Sequence, residues 1–451
     1  MFLTVVRDFL NKGSARSILM KKNVIVSSIF QALSMGIQFA LVPLTLHYLN
    51  PVKFGIWITL SSFVLWFSFL DIGLGNGLKN KLSECLARGE FHLAKTYVST
   101  TYGMLTIISF TIFLIFLFLN PVINWASFFN APPKMAPELA KVVFWVVALF
   151  LTRFVLATIN VVFTADQHPS YVNLFTFLGN IISIGAVYVV TQTSSDSLIL
   201  LGLCISIPPV IVPLVASLFS FRKRFKNISP SASDMSLKQV KPLLTLGLYF
   251  FISQLMTLVI YSSDNMIISQ VLGPEKVVPY NVAFRYFSII SILFSLASTP
   301  LWSAFTHAYA MNDFEWIKNT VRKFVTVWFI LIIVIVVMIL CSNWVYKLWI
   351  GQGLLIPYSL TISMGVFVIQ NTWIIIFTYF VGGVGKMRLI TIIHIFAGAL
   401  NIPLCIFFAM IGMGSTGVML ATIICLLPQS ILIPIQYKKI INGKAIGIWS
   451  N

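Results

Sequence analysis

Residues 325–340 read Val-Thr-Val-Trp-Phe-Ile-Leu-Ile-Ile-Val-Ile-Val-Val-Met-Ile-Leu, a run that is apolar on every face. An amphipathic helix of a soluble protein would keep a polar stripe here, and a strand of a membrane barrel would alternate apolar with polar residues. A helix in hydrocarbon fits the run, because its backbone groups bond within the segment while its side chains meet lipid or another helix. Working outward, apolar runs of about 20 residues, the length that crosses a bilayer core, recur along the chain. Twelve are expected, near 24–47, 54–76, 98–119, 140–164, 171–191, 198–221, 243–270, 278–302, 324–346, 358–381, 389–411 and 416–437.

Composition agrees with that count. Of 451 residues 58% are hydrophobic and only 9% charged, with a mean hydropathy of +0.95, whereas a soluble chain carries roughly 25% charge. The fold class expected is therefore an all-α integral membrane protein.

The basic residues set its orientation. With the amino terminus cytoplasmic, the inner segments hold 23 of the 30 Lys and Arg, among them Lys79, Lys81, Arg88, Arg222, Lys223, Arg224, Lys386, Arg388, Lys438 and Lys439. This asymmetry puts both termini inside. The net charge of +18 then reflects topology and contact with anionic membrane lipids, and nucleic-acid binding has no support.

Two stretches echo each other 223 residues apart: Leu49-Asn50-Pro51-Val52-Lys53 by Leu272-Gly273-Pro274-Glu275-Lys276, and Glu90-Phe91 by Asp313-Phe314. A duplication explains this, and the most polar stretch, Arg222 to Lys241, divides the chain. The organisation expected is a cytoplasmic arm (1–23), an N-lobe of six helices (24–221), a cytoplasmic linker (222–242), a C-lobe of six helices (243–437) and a cytoplasmic tail (438–451). An even number of spans per half makes the repeats parallel, related by a pseudo-two-fold axis along the membrane normal. The linker is too polar to fold by itself.

Enzyme motifs fail on inspection. Gly382-Gly383-Val384-Gly385-Lys386 lacks the first glycine of a phosphate loop, has Met387 in place of its Ser or Thr, and reads as a helix end with a tight turn. Gly73-Leu74-Gly75-Asn76-Gly77 misses the dinucleotide fingerprint and reads as the end of the second span. The five Cys and five His are scattered without ligand spacing, so neither a metal site nor a cofactor is expected. With outer loops this short, the chain does not read as an enzyme.

Charge inside the spans is the unusual feature, since each such group costs at least about 2.5 kcal/mol on insertion scales. Asp71, Arg153, Asp264 and Arg285 qualify. Asp264 and Arg285 lie at similar distances either side of Pro274, at similar depths of one hairpin, so they either form a structural ion pair or leave Arg285 facing a cleft. Arg153 stands twelve residues beyond Lys141, about 18 Å along a helix. It has no acid in its own span and suits a phosphate, although pairing with Asp71 or with helix-end carbonyls is an alternative. Gln31, Gln38, Asn160, Asn180, Gln254 and Asn371 are polar candidates for the cleft wall, or for bonds between helices. The charges do not follow the duplication: Asp264 and Arg285 fall opposite Leu41 and Ser62, and Asp71 opposite Phe294.

Several segments resemble the bacterial O-antigen and polysaccharide repeat-unit flippases of the multidrug, oligosaccharidyl-lipid and polysaccharide exporter superfamily. They are Tyr48-Leu49-Asn50-Pro51, Phe54-Gly55-Ile56-Trp57, Leu70-Asp71-Ile72-Gly73-Leu74-Gly75, Ser263-Asp264-Asn265-Met266 and Tyr280-Asn281-Val282-Ala283-Phe284-Arg285. The resemblance implies two six-helix lobes around a V-shaped cavity in the inner membrane. It implies a function, flipping of undecaprenyl-diphosphate-linked oligosaccharide from the cytoplasmic to the periplasmic leaflet. It also implies coupling to protons or sodium ions through Asp71 or Asp264, and work beside polysaccharide polymerase and chain-length proteins. Arg153 and Arg285 would then hold the diphosphate. A multidrug or organic-cation antiporter of the same fold is the alternative, which the absence of an acid from span one disfavours.

Overall fold

The computed structural model describes residues 15–71, 73–194, 196–241, 243, 255–260, 262–298, 301–351 and 353–450. Among these the regular structure is entirely helical, and ten helical stretches are long and apolar enough to cross a membrane. Backbone amides that cannot bond to lipid leave few other solutions. Gln254, one of the polar candidates, lies outside the described residues, as do residues 1–14 of the expected arm. The first helix, α1 (Ala15–Tyr48), begins within that arm and continues into the first span without a break.

The described chain falls into two compact units. The first comprises 1–50, 64–128 and 132–251. In it, α1 packs along α7 (Pro169–Thr193). Helix α3 (Leu74–Arg88) packs on α4 (Phe91–Leu119) and α6 (Thr158–Ala165), while α5 (Ala136–Leu156) contacts α4, α8 (Leu198–Ser206) and α9 (Pro208–Arg222). The core of α3 is a leucine stripe at one-turn spacing, Leu74, Leu78 and Leu82, buried against Val98, Ile159, Val162 and Phe225.

The 222–241 stretch does find a partner: it docks on α4. Three 3₁₀ turns, Lys226–Ile228, Ala232–Asp234 and Leu237–Gln239, carry it along that helix. The Ser231 amide donates to Ser99 Oγ (3.0 Å), the Ser236 amide donates to Thr100 Oγ1 (3.0 Å), and Lys95 pairs with Asp234 at 2.8 Å. Hydroxyls of one helix thus satisfy backbone donors that a polar segment cannot satisfy alone.

The second unit comprises 51–63, 129–131 and 252–451. It holds most of α2 (Pro51–Leu65), then α10 (Asp264–Leu272), α11 (Val277–Ser298), α12 (Leu301–Ala310), α13 (Phe314–Ile350), α14 (Tyr358–Gly383), α15 (Arg388–Phe408) and α16 (Gly414–Ile441). Helix α14 is central, packing on α11, α12, α13 and α16. Between α15 and α16 the chain turns at Gly412 (φ 93°) and Gly414 (φ 56°), left-handed positions that glycine alone takes at no steric cost.

The second span is shorter than the expected 54–76. The α-helix ends at Leu65, a 3₁₀ turn runs through Trp66–Asp71, and Gly73 (φ 85°) opens α3. Gly75 and Gly77 therefore begin a helix. The phosphate-loop lookalike closes α14: Gly385 is left-handed (φ 75°) and the Lys386 amide returns to the Val381 carbonyl at 3.1 Å.

The echo at Glu90 and Asp313 is a backbone identity. Both precede a long helix with nearly equal angles, φ −81° and ψ 62° or 66°. Each follows a left-handed residue, Gly89 or Asn312, and each amide bonds five residues back at 2.9 Å, to Cys85 or Ala308.

Candidate functional site

Arg153 lies in the last turn of α5, four residues before the chain bends at Ala157, whose amide bonds to the Arg153 carbonyl at 2.7 Å. Its side chain is exposed. Among the described residues the guanidinium makes no hydrogen bond or ion pair, Asp71 included. That carboxylate is occupied: Oδ1 accepts from the Gly73 amide (3.0 Å) and Oδ2 from the Gly75 amide (3.2 Å), so Asp71 caps α3. A cation at the last turn of a helix is favourably placed against the carbonyl ends. Its five donors stay open for an anion.

Asn160, two turns beyond Arg153 in α6, keeps a buried Oδ1 without a partner among the described residues, and Asn180 on α7 a buried Nδ2 likewise. On α1, Gln31 is half-buried and Gln38 exposed.

In the second unit Asp264 is 4% exposed at the start of α10. Of the two arrangements left open by the sequence, the ion pair with Arg285 is not formed. Instead Oδ2 accepts from the Tyr280 hydroxyl, and the Cys405 thiol lies 3.9 Å from Oδ1. Tyr280 and Arg285 are five residues apart on α11, about 140° around it, so one can face Asp264 while the other turns away. Around the carboxyl, Asn401 Nδ2 donates to Thr422 Oγ1 (3.1 Å), Ser263 Oγ donates to Asn401 Oδ1 (3.4 Å), and the Cys405 thiol is 3.5 Å from the Val418 carbonyl.

No Lys, Arg or His pairs with Asp264 among the described residues. A buried carboxylate with no cationic partner is expensive, so a proton or small cation is the natural companion of this group. The oxygens of Asp264, Asn401, Thr422 and Val418 are hard donors of the kind that suit an alkali or alkaline-earth ion. Asn401, Cys405 and Thr422 escaped the sequence reading. Their one-turn spacing, Asn401 to Cys405 and Val418 to Thr422, was the available signal, but only the packing of α10, α15 and α16 brings them to Asp264.

Arg285 is half-buried, and its Nε donates to Asn281 Oδ1 at 2.9 Å, one turn earlier. Next to it a cavity of about 270 Å³ is lined by Phe284, Phe287, Ser288 and Ser291 of α11 and Met364, Phe367, Val368 and Asn371 of α14. Both sets follow the helical spacing i, i+3, i+4, i+7, so two facing stripes make the cavity. Asn371 is the one polar candidate on its wall.

Residues 20–306 match the family described as polysaccharide biosynthesis protein. The chain is 23% identical over 366 residues to the "Putative O-antigen export protein" of Yersinia pseudotuberculosis, covering 79% of this chain and 81% of that one. It is 24% identical over 269 residues to the "Putative O-antigen transporter" of Salmonella typhimurium, covering 59% and 60%. Its fold is similar to that of a multidrug resistance MATE family transporter of the MOP superfamily solved in an inward-facing conformation. That match has a TM-score of 0.75 and 17% identity, covering 93% of this chain and 98% of that one.

Proposed function

The chain belongs to the polysaccharide biosynthesis protein family, and from that premise we propose that it transports polysaccharide repeat units across a bacterial inner membrane. In this proposal the cargo is an undecaprenyl-diphosphate-linked oligosaccharide, flipped from the cytoplasmic to the periplasmic leaflet. Both termini are cytoplasmic, and an N-lobe of 24–221 alternates against a C-lobe of 243–437.

The observation that carries the proposal is the exposed Arg153 guanidinium, within the apolar stretch Pro133–Ala165 and without a partner among the described residues. An amphiphile with two phosphates at the junction of sugar and polyprenyl needs such a group, because Arg binds a phosphate through two parallel charged hydrogen bonds. Arg285 is the second phosphate ligand in this scheme, with the aromatic and hydroxyl wall of the neighbouring cavity facing sugar. The polyprenyl chain stays in lipid, where its burial costs nothing.

Asp264 is the proposed coupling group. Taking up a proton or sodium ion there neutralises a buried charge, and the α10, α15 and α16 helix ends that surround it respond to that change. Asp71, held by two backbone amides, is left as a cap.

The experiment is to replace Arg153 or Arg285 with Ala in the native host at matched expression. Surface polysaccharide is lost and lipid-linked repeat units accumulate facing the cytoplasm. Normal surface polysaccharide in both variants contradicts the phosphate assignment.

A further inference from the structure

Arg285 lies within the apolar stretch Pro274–Ser298, and its Nε is held there by an amide. Asn281 Oδ1, one turn earlier on α11, accepts from it at 2.9 Å. The same spacing recurs in the first unit with a carboxylate: Glu84 and Arg88 of α3 pair at 2.9 Å, and Arg224 pairs with Asp166 at 2.6 Å. Arg88 and Arg224 both lie outside the apolar stretches. Asn281 thus does for Arg285 what Glu84 does for Arg88, but without a charge.

The difference decides what the guanidinium can do. A carboxylate at position 281 would form a charge-assisted pair, hold the side chain firmly and cancel much of its attraction for an anion. A neutral amide fixes Nε and adds nothing to offset the cation. Arginine has a long stem with many rotamers, and a ligand that must order it loses that freedom on binding. Holding Nε in advance reduces the loss. With Nε engaged, two parallel bonds to one phosphate form at the terminal edge, through Nη1 and Nη2.

The turn that carries Asn281 is itself fixed. Its neighbour Tyr280 is 3% exposed and donates its hydroxyl to Asp264 Oδ2, and successive residues of a helix point about 100° apart. Tyr280 therefore sets the rotation at which Asn281 stands. On the next turn Ser288 Oγ donates to the Arg285 carbonyl at 2.8 Å. Phe284 and Ser288, on either side of Arg285 in sequence, line the cavity between α11 and α14.

Resting on the reading of Arg285 as a phosphate ligand, we propose that Asn281 is the positioning residue of that ligand. Its amide oxygen holds Nε so that the terminal edge of the guanidinium meets the diphosphate, and its neutrality preserves the pull of the cation on the cargo. Adjacent residues of one turn, Tyr280 and Asn281, then serve the Asp264 carboxyl and the phosphate ligand respectively.

Three substitutions separate the bond from the charge. Purified full-length variants are placed in liposomes with an undecaprenyl-diphosphate-linked oligosaccharide, and flipping is timed over a range of cargo densities beside a thermal melt. Asn281→Leu loses the bond, and the cargo density at half-maximal rate rises about tenfold. Asn281→Gln, which offers an amide oxygen from the same turn, recovers most of that loss. Asn281→Asp keeps the bond and strengthens it, so it melts no lower than wild type. Its half-saturation still rises about tenfold, because the carboxylate competes with phosphate for the cation. A purely structural role would move the melt and leave half-saturation alone.

Half-saturation at the wild-type density in Asn281→Leu or Asn281→Asp overturns the inference, as does Asn281→Gln performing no better than Asn281→Leu. If Asn281→Asp does not fold, the comparison of Leu with Gln decides by itself. Arg285→Ala in the same vesicles separates the two readings. If that variant saturates like wild type, the phosphate assignment of Arg285 fails whatever Asn281 does; if it is impaired while the Asn281 variants match wild type, only the positioning role fails.

Discussion

At the scale of single residues, Asp264 and Arg285 show what depth alone can and cannot tell. Counting from Pro274 expects both side chains at one level of a hairpin. Which of them meet depends on rotation about α11, and the resulting partner of Asp264 is the Tyr280 hydroxyl. The exchange has consequences for charge. An Asp264–Arg285 pair would be neutral and inert, whereas a carboxyl held by a hydroxyl and a thiol still lacks a counter-ion. Asp264→Asn preserves both hydrogen bonds in the neutral state, so the variant should melt near wild type and lose the dependence of flipping on an imposed ion gradient. A variant that keeps this dependence removes Asp264 from coupling. Tyr280→Phe deletes one buried donor and should cost about 1–3 kcal/mol of stability, read as a lower melting temperature.

At the scale of elements, helix interiors were easy to read and helix ends were not. Hydropathy gave the runs, because hydrocarbon imposes the same demand on every turn. Ends depend on caps, where one side chain decides. Gly73-Leu74-Gly75-Asn76-Gly77 looks like a stop to a composition argument, yet the carboxylate of Asp71 binds two of its amides and makes it a start.

Close contact is equally local. In the second unit the first turn of α2 lies so near the turn after α10 that a Cβ on Gly55 would fall 1.8 Å from the Pro274 carbonyl oxygen. Nearby, Asn265 Nδ2 donates to Ser62 Oγ at 2.9 Å. Gly55→Ala must push these backbones apart, and a loss of about 1–3 kcal/mol is expected in a thermal melt. An unchanged melting temperature would mean that the two segments separate freely.

The polar 222–241 stretch offers a test by pH. Its bond to Lys95 holds the Asp234 carboxyl below the ordinary value of 3.8. The contribution to docking is complete above that ordinary value and disappears as pH falls through the lower folded value. Protection of the amides at 231–236, taken relative to the intrinsic exchange rate at each pH, should be high at neutral pH and fall on acidification below about 4, with Asp234→Asn weakly protected throughout. Equal protection in wild type and variant at neutral pH would rule out the pair as the anchor.

At the scale of the whole molecule, the echo between the two halves of the sequence has a counterpart in the backbone. An echo of a few residues 223 positions apart proved to mark matching helix starts at Glu90 and Asp313, alike in angles and in hydrogen bonds. The class was legible because it rests on apolar runs repeated over hundreds of residues, and the family through the resemblance of segments such as Leu70-Asp71-Ile72-Gly73-Leu74-Gly75. The site was legible only in part. Intramembrane charges announce themselves by their cost, but neutral partners such as Asn401 and Thr422 are common in membrane helices and gain meaning only from the face they share.

The central claim is that the Arg153 and Arg285 guanidinium groups let this chain carry a diphosphate-linked sugar lipid across the membrane. It is tested most directly by reconstituting the purified protein with an undecaprenyl-diphosphate-linked oligosaccharide, and timing its arrival in the opposite leaflet with a membrane-impermeant lectin. Wild type should flip the lipid, and Arg153→Ala and Arg285→Ala should each slow it about tenfold or more, as expected for loss of charge-assisted hydrogen bonds to phosphate. Flipping at the wild-type rate by both variants, or no flipping by wild type under any ion gradient, would contradict it.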